Sequence, residues 1–534
     1  MASSQTRRGG PRDLREHVAE LERRGKLVRF DMPINKDTEL MPLVRLQFRG
    51  LAEEERKAFL FEHVTDVHGR TFAMPVLVGA LAGSRDIYCI GMRCEPGEVL
   101  ERWSAAQQHP IPPRLVEGGP VHEVVLQGKE LRGEGNGLDR IPIPISTPGF
   151  DCAPFTTMSH WVTKDPDSGR RNLGNYRGHL KARDRLGILV VPTSDFGVQW
   201  AKYRRQGRRM EAALILGCAP HISFTAAAKL PGFDEFAVAG GLAGEPVELV
   251  RCKTVDLEAP ARAEIVVEGV ISTEELEPEA PFGEFIGFMG ERHLNPFFSV
   301  TCITHRRDAI YGAIISQFPP SESTKLRQMA FEPVLYRHLK VHANLPVTDV
   351  AFHESGGSWH YIVIQLKKSN PSQAMQALHT AVGFDPTIGK IFVAVDDNVD
   401  PHDADAVNWA LCYCMQPHRD MLVVRGRTGY LDPSASPLGE KDIFPPPSGN
   451  SALLIDATRK WEYPPLSLPK REYMERARKL WEAAGLPRLK LKAPWYGENL
   501  GKWDAELEED AERAVRGEYY ETGEKLARQR RKME

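Results

Sequence analysis

The chain has no stretch approaching the ~20 consecutive apolar residues that a bilayer-spanning helix needs, so a membrane span is not expected. Its eight cysteines contain no CxxC pair and stand singly, apart from Cys412-Tyr-Cys414. That argues against a disulfide framework and for reduced, mostly buried thiols in a cytoplasmic protein. Residues 1–10 have no apolar run of the kind that starts an export signal, so secretion is not expected either. Charge of one sign is also missing: a net −3 over 534 residues gives no case for binding nucleic acid or another polyanion. There is no GxGxxG fingerprint of a nicotinamide-binding crossover, no internal repeat and no long low-complexity segment.

What is present is a long, ordinary globular composition, 42% hydrophobic and 26% charged. The length exceeds one core and suggests about three domains. Asp13, followed by Glu16, predicts a capping box that opens a helix with Leu14, Val18 and Leu21 as its buried stripe and Gly25 as its stop. Residues 26–31 read as a strand, which makes 1–117 a mixed α and β region. From 118 to 330 short β-rich runs dominate, at 121–126, 187–191, 247–252, 264–270 and 298–305, a density that suggests a barrel or sandwich. From 331 to 490 the apolar runs 361–366, 391–395 and 421–424 alternate with helical stretches 373–382 and 404–415, which predicts a sheet flanked by helices. A proline-rich linker occupies 444–450. The segment 491–534 ends in a charged helical tail whose thin apolar stripe, Leu507, Ala511, Ala514 and Val515, is of the kind that docks on another surface.

The most informative local pattern is Glu279-Ala-Pro-Phe-Gly-Glu284, preceded about a hundred residues earlier by Asn172-Leu-Gly-Asn-Tyr-Arg177. Carboxylates at this spacing diverge on a regular strand or helix. Pro281 and Gly283 between them predict a turn that aims both at one point. A guanidinium could then pair with one carboxylate in bidentate fashion and leave the other free to move a proton, as in an enzyme acting on a carboxylate. The bland reading is that both acids decorate a surface turn in the acidic run of Glu274, Glu275 and Glu277. The Asn-to-Arg motif tips the balance toward function.

Several stretches together resemble the UbiD family of reversible decarboxylases. They are Asp13-Leu-Arg with Gly25-Lys-Leu-Val-Arg, Pro148-Gly-Phe-Asp151 followed by Asp165 through Arg177, and Pro278 through Glu284. His418-Arg-Asp with Gly429-Tyr-Leu-Asp, and Leu454-Ile-Asp-Ala-Thr458, carry the likeness onward, over roughly residues 12–490. The resemblance implies a mixed α+β N-terminal domain (1–117) and a central split β-barrel of flavin-reductase type (118–330). Beyond these it implies a C-terminal α/β oligomerisation domain (331–490) and an extended C-terminal helical tail (491–534), in a homodimer or homohexamer. It further implies prenylated FMN, supplied by a separate flavin prenyltransferase. A divalent metal (Mn2+, with Mg2+ or Fe2+ as alternatives) and K+ would help to bind it.

By the same resemblance Arg177 binds the substrate carboxylate, Glu279 orients that arginine and Glu284 donates a proton. Asn172, Gly174, Asn175, Arg177, Ser194 and Lys229 would contact the cofactor. Asn172 and Glu235 would ligate the metal, as hard oxygen donors suit such cations. The family's third ligand, a histidine after the strand at 187–191, is replaced here by Ser194. A serine hydroxyl, Asp195 or water would then complete the site, unless the flavin phosphate is bound differently or cofactor binding has been lost. Taken alone, Glu235 reads as an acid complementing a helix start. In the basic run 202–209, Lys202, Arg205 and Arg209 would share a helical face and could meet phosphates of a cofactor or of a coenzyme A thioester, with a solvated surface favoured. His353, His360 and His418 read as structural or exposed, and His179 has no assigned role. Selectivity is expected from the loop 318–324 and part of the C-terminal domain.

The expected reaction is non-oxidative, reversible decarboxylation of an aromatic or α,β-unsaturated acid, free or as a coenzyme A thioester, releasing CO2 with the prenylated flavin as electron sink. Two alternatives stand beside it: an FMN-dependent split-barrel oxidoreductase, and a non-catalytic subunit of a carboxylase complex.

Overall fold

The computed structural model describes residues 10–230, 232–427, 431–435 and 449–531. The N-terminal helix is Leu14–Arg23 with Leu14, Val18 and Leu21 buried. Asp13 caps it by accepting from the Glu16 N–H at 2.9 Å, and Gly25 leaves it at φ +68. The Glu16 carboxylate does not close a capping box. It turns to Arg12, taking its backbone N–H at 3.0 Å and its Nε at 2.7 Å.

Four strands make the N-terminal sheet, in the order Leu27–Phe30, Ala58–Phe61, Val76–Val78, Tyr311–Ala313. The last of these arrives from far along the chain and pairs in parallel with Val76–Val78. Local sequence patterns could not place it, because they specify that a strand exists and not which sheet receives it. The same return is fastened by Glu322, the first residue of the helix Glu322–Arg337. Its buried carboxylate accepts from the N–H groups of Gly79 and Leu81 at 2.9 Å each, Ala82 at 3.4 Å and Ile315 at 3.2 Å.

The central sheet has nine strands, and its longest members, Ile265–Glu279 and His293–His305, are antiparallel neighbours. Register shifts between Glu268 and Gly269, and between Ile271 and Leu276, interrupt their pairing, as bulges that bend a long strand do. The strand path runs from Arg171–Asn175 at one end to Gly178–Ala182 and Phe155–Thr156 at the other. Only Tyr176 and Arg177 link Asn175 to Gly178, so the sheet curls until its ends approach one another at those two residues. Among the described residues the two ends do not pair, and the path stays open. Trp161 and Phe298 pack edge to face inside the curl at 5.0 Å.

The C-terminal sheet has five strands in the order Val347–Phe352, Tyr361–Leu366, Ile391–Asp396, Asn450–Asp456, Met421–Arg427. Its three inner strands are parallel and its edges antiparallel. The helices Ser372–Phe384 and Ala404–Tyr413 separate the strands in the expected alternation. Most of the proline-rich linker lies outside the described residues. Farther on, the helices Arg471–Ala483, Ala505–Val515 and Tyr519–Ala527 bury no residue, and Val515 is 61% exposed. The cysteines are all unpaired.

Replacing Glu322 by Ala strips four buried N–H groups of their acceptor, at about 1 kcal/mol or more each. Glu322→Ala should therefore lower the unfolding midpoint by an amount equivalent to at least about 3 kcal/mol. A urea or thermal unfolding curve matching that of the parent chain would show that these contacts do not hold the N-terminal sheet.

Candidate active site

Arg177 stands where the two ends of the central sheet meet, and strand alternation puts His179 and Lys181 on the same side. All three grip the end of the strand Ile265–Glu279. Arg177 Nε and Nη2 donate to Glu279 Oε1 and Oε2, each at 2.9 Å. The Ala280 N–H donates to His179 Nδ1 at 3.4 Å, and Lys181 Nζ donates to the Pro278 carbonyl at 2.7 Å. Burial pushes the His179 imidazole down to about 4, which keeps Nδ1 free to accept. Asn295, on the neighbouring strand, donates to Glu279 Oε2 at 3.0 Å. Glu279 is thus a wholly buried ligand of the arginine, whereas Glu274 and Glu275 are exposed as the bland reading would have them.

Glu284 reaches the same guanidinium from a different direction. Its Oε1 accepts from Arg177 Nη1, so both carboxylates are engaged, rather than one being held and the other left free. The chain reversal lies after Glu284 and not between the two acids. The Glu284 N–H donates to the Phe288 carbonyl at 2.9 Å, the Gly287 N–H donates to the Glu284 carbonyl at 3.0 Å, and Gly287 has φ +98. Gly283 has a different task. A Cβ there would lie 2.6 Å from Thr147 Oγ1 and 2.9 Å from Gln317 Cγ, so only glycine lets the segment pass between them. Asp151 pins this passage, accepting from the N–H groups of Thr147 at 2.6 Å and Gly283 at 3.2 Å, while burial pushes its carboxyl up to about 6. Phe282, between the two glutamates, lies 5.3 Å from the Arg177 guanidinium, which completes a clamp of two carboxylates and one ring. The three charged side chains are only 9%, 1% and 7% exposed, in the order Arg177, Glu279, Glu284.

This cluster opens on a cavity of about 360 Å³ whose aromatic walls are Tyr176, Phe282, Phe285, Phe331 and Trp359. Asn172, Gly174, Asn175, Arg177, Ser194, Lys229, Glu235 and Glu284 all line it, so the sequence brings its expected residues to one place, with Glu279 directly behind Arg177. Their side chains are not equally available. The Asn175 amide oxygen accepts from the Ser159 N–H at 3.0 Å. Gly174 is required by its neighbour, since a Cβ there would lie 2.5 Å from the Tyr176 ring. Ser194 caps the helix Asp195–Arg205, accepting from the Gly197 N–H at 3.0 Å and donating to the Val191 carbonyl at 2.8 Å, so its proton is spent and one lone pair remains. Lys229 pairs with Asp385 of the C-terminal region, which is itself held by the Thr387 N–H at 2.8 Å and hydroxyl at 2.6 Å.

Among the described residues no three His, Cys, Asp or Glu side chains come together as a metal-binding group. The residues do suit a hard cation held by two protein ligands, with phosphate oxygens and water filling the other positions, the manner in which Mg2+ is commonly held. Among the described residues the buried Asn172 Nδ2 has no hydrogen-bond partner, a free donor suited to a phosphate oxygen, and burial pushes the Glu235 carboxyl up to about 7. A cation beside them would relieve the buried carboxylate. Asp195 also lines this end of the cavity. The basic run 202–209 is outer surface: Lys202 pairs with Asp165 at 2.6 Å, and the helix stops at Arg205, so Arg209 does not share its face.

Three family models match in succession: the N-terminal domain of 3-octaprenyl-4-hydroxybenzoate carboxy-lyase (UbiD) over residues 18–107, its Rift-related domain over 114–319 and its C-terminal domain over 326–457. The UbiD-class enzyme HmfF from Pelotomaculum thermopropionicum, solved as an evolved dimeric form in complex with prFMN, superposes with a TM-score of 0.75 at 31% identity. That match covers 88% of this chain and 100% of the other. The chain belongs to the UbiD family. It is a carboxy-lyase. The vanillic acid decarboxylase of Sedimentibacter hydroxybenzoicus in its closed form also superposes, with a TM-score of 0.75 at 26% identity, over 88% of this chain and 99% of that one. An uncharacterized protein of Aquifex aeolicus (strain VF5) is 29% identical over 500 residues, 89% of this chain and 99% of its own length.

Within this UbiD-family site, sequence reasoning missed Asp151, Asn295, Trp359 and Arg327. Asp151 stood inside a quoted motif without a task, and Arg327 was a basic residue in the interior of an otherwise buried helix, a signal that could have been used.

Removing the arginine charge leaves two buried carboxylates facing each other, and such a pair raises the pKa of one member. A group whose folded pKa is raised loses stability as pH rises through that value. Arg177→Met should therefore cost about 3 kcal/mol of stability near about pH 8 and clearly less near about pH 5. Equal losses at both pH values would show that Glu279 and Glu284 do not depend on this cation.

Proposed function

We propose that the chain catalyses the non-oxidative, reversible decarboxylation of an aromatic or α,β-unsaturated carboxylic acid with prenylated FMN. The observation that carries this reading is the Arg177 guanidinium, bidentate on Glu279 and bonded through Nη1 to Glu284 at the wall of an aromatic cavity. When bound, the cofactor would supply an electron sink for the carbon that loses CO2. The relative HmfF, solved with prFMN, and the curled central sheet support a flavin site in a split-barrel domain. Asn172 and Glu235 would hold a divalent cation, Mn2+ in the first instance, that helps anchor the flavin phosphate together with K+.

The charge balance of the cluster gives each acid its role. Glu284 occupies Nη1 of Arg177, so an incoming substrate carboxylate reaches that nitrogen only when Glu284 either releases it or takes up a proton. Glu279 keeps its two bonds and holds the arginine plane. The substrate carboxylate then occupies the Nη1 side, and a protonated Glu284 stands beside the carbon that will need a proton. Substrate entry and protonation of the donor are coupled by this geometry. A separate flavin prenyltransferase would supply the cofactor, residence would be cytoplasmic, and the exposed helices beyond residue 470 would seat a second copy in a homodimer or homohexamer.

A redox role with ordinary FMN and a non-catalytic role in a carboxylase complex are the competing readings. Co-expression with a flavin prenyltransferase, native mass spectrometry and a panel of aryl acids separate the three. Prenylated flavin with CO2 release is expected. Unmodified FMN with redox turnover would favour the first rival, and no flavin with no turnover the second. Glu284→Gln should retain flavin but lose at least about a hundredfold in turnover, the usual contribution of a positioned general acid. Near-parental activity in that variant would overturn the donor role.

A further inference from the structure

Among the described residues three basic side chains line the cavity: Arg177, Lys229 and Arg327. Arg177 is held by Glu279 and Glu284, and Lys229 by Asp385. Arg327 meets no carboxylate within ion-pair distance among the described residues. Its polar contact is a long one, Nη1 to Ser323 Oγ at 3.4 Å, and its guanidinium lies over the Phe285 ring at 3.7 Å. Burial pushes its pKa down to about 10, opposed by the charge of Glu284 beyond ion-pair distance, so it stays charged at neutral pH.

Several other buried cations in this protein have acceptors, although the buried Arg56 also lies over a ring, that of Phe48, with Nε and Nη1 unpartnered among the described residues. On the same helix Lys325 meets Glu53 at 2.9 Å and Glu354 at 2.8 Å. Arg306 meets Asp13 at 3.0 Å, and Arg45 donates to the carbonyls of Ser316, Phe318 and Pro320. The helix Glu322–Arg337 thus satisfies one lysine fully and leaves an arginine two residues later facing the cavity. A guanidinium stacked on a ring keeps its N–H edge for an acceptor in its own plane, the geometry that takes a carboxylate. Ser323 is one helical turn before Arg327 on the same face and also lines the cavity, which adds a hydroxyl beside that edge.

We propose that the substrate carries a second anionic group, a carboxylate in the simplest case, and that Arg327 with Ser323 receives it while Arg177 holds the carboxylate that is lost. This rests on the decarboxylase reading above and narrows it from aryl acids in general to diacids. Arg327 is then the residue that sets specificity.

The test uses the holoenzyme with benzoate and the three benzenedicarboxylates, measuring affinity by calorimetry and turnover by CO2 release. At least one diacid should bind about tenfold more tightly than benzoate, the order expected for one charge-assisted bidentate pair. R327Q should weaken the preferred diacid far more than benzoate and so erase that preference, and R327K should restore part of it. Melting curves of both variants establish that they fold. If R327Q weakens benzoate and diacids alike, Arg327 serves Glu284 or the fold and the proposal is overturned. Absence of any diacid preference in the parent protein overturns it whatever the turnover. Arg327-dependent diacid binding with no CO2 release from any acid would instead overturn the decarboxylase reading and leave the second anion site standing.

Discussion

A single buried guanidinium held between two carboxylates is the constraint around which the rest of this protein is arranged. Arg177 sits on the two-residue link at which the ends of a nine-stranded sheet converge. Glu279 reaches it only because the strand Ile265–Glu279 runs fifteen residues, and Glu284 only because the chain reverses at Gly287. Asp151 pins the passage between them, and His179 and Lys181 fix the strand end from the same side as Arg177. A buried charge that loses its partner costs several kcal/mol, so each of these elements is locked to the others through one ion cluster.

The cluster alone would not make a reaction site. It acquires one because the cavity in front of it draws walls from two regions of the chain: Tyr176, Phe282 and Phe285 from the central part, and Trp359, Thr387 and Leu431 from the C-terminal part. The Lys229–Asp385 pair ties those regions together at the rim. The polar groups at Asn172, whose Nδ2 is unpartnered among the described residues, and Glu235, disfavoured as a carboxylate by burial, lie along the same wall. Flat aromatic walls suit a flat cofactor and a flat acid, and the charged groups set the orientation.

Much of this was legible in the sequence, and the misses have physical causes. That an arginine would pair with one acid of the 279–284 segment followed from residue types, while the choice of Arg177 and Glu279 followed from the family resemblance. The capping of the first helix by Asp13 and the alternation of strands and helices beyond residue 331 are local properties and were readable as such. The return of Tyr311–Ala313 to the N-terminal sheet depends on contacts remote in sequence, which periodicity does not encode. The reversal after Glu284 was misplaced because Gly283 looked like a turn residue, while its real task is to pass between Thr147 and Gln317. Ser194 was read against an absent histidine, but its hydroxyl caps a helix start. Arg327 could be noticed but not weighed, since only the fold shows that among the described residues no carboxylate comes within ion-pair distance of it.

The claim that Arg177 exchanges Glu284 for the substrate while Glu279 stays in place is tested most directly by a crystal structure of the flavin-loaded protein with a non-reacting aryl carboxylate. The ligand carboxylate should lie on Arg177 Nη1, with Glu284 displaced from that nitrogen and Glu279 still bidentate. A ligand bound elsewhere, with the Arg177–Glu284 contact intact, would contradict the account.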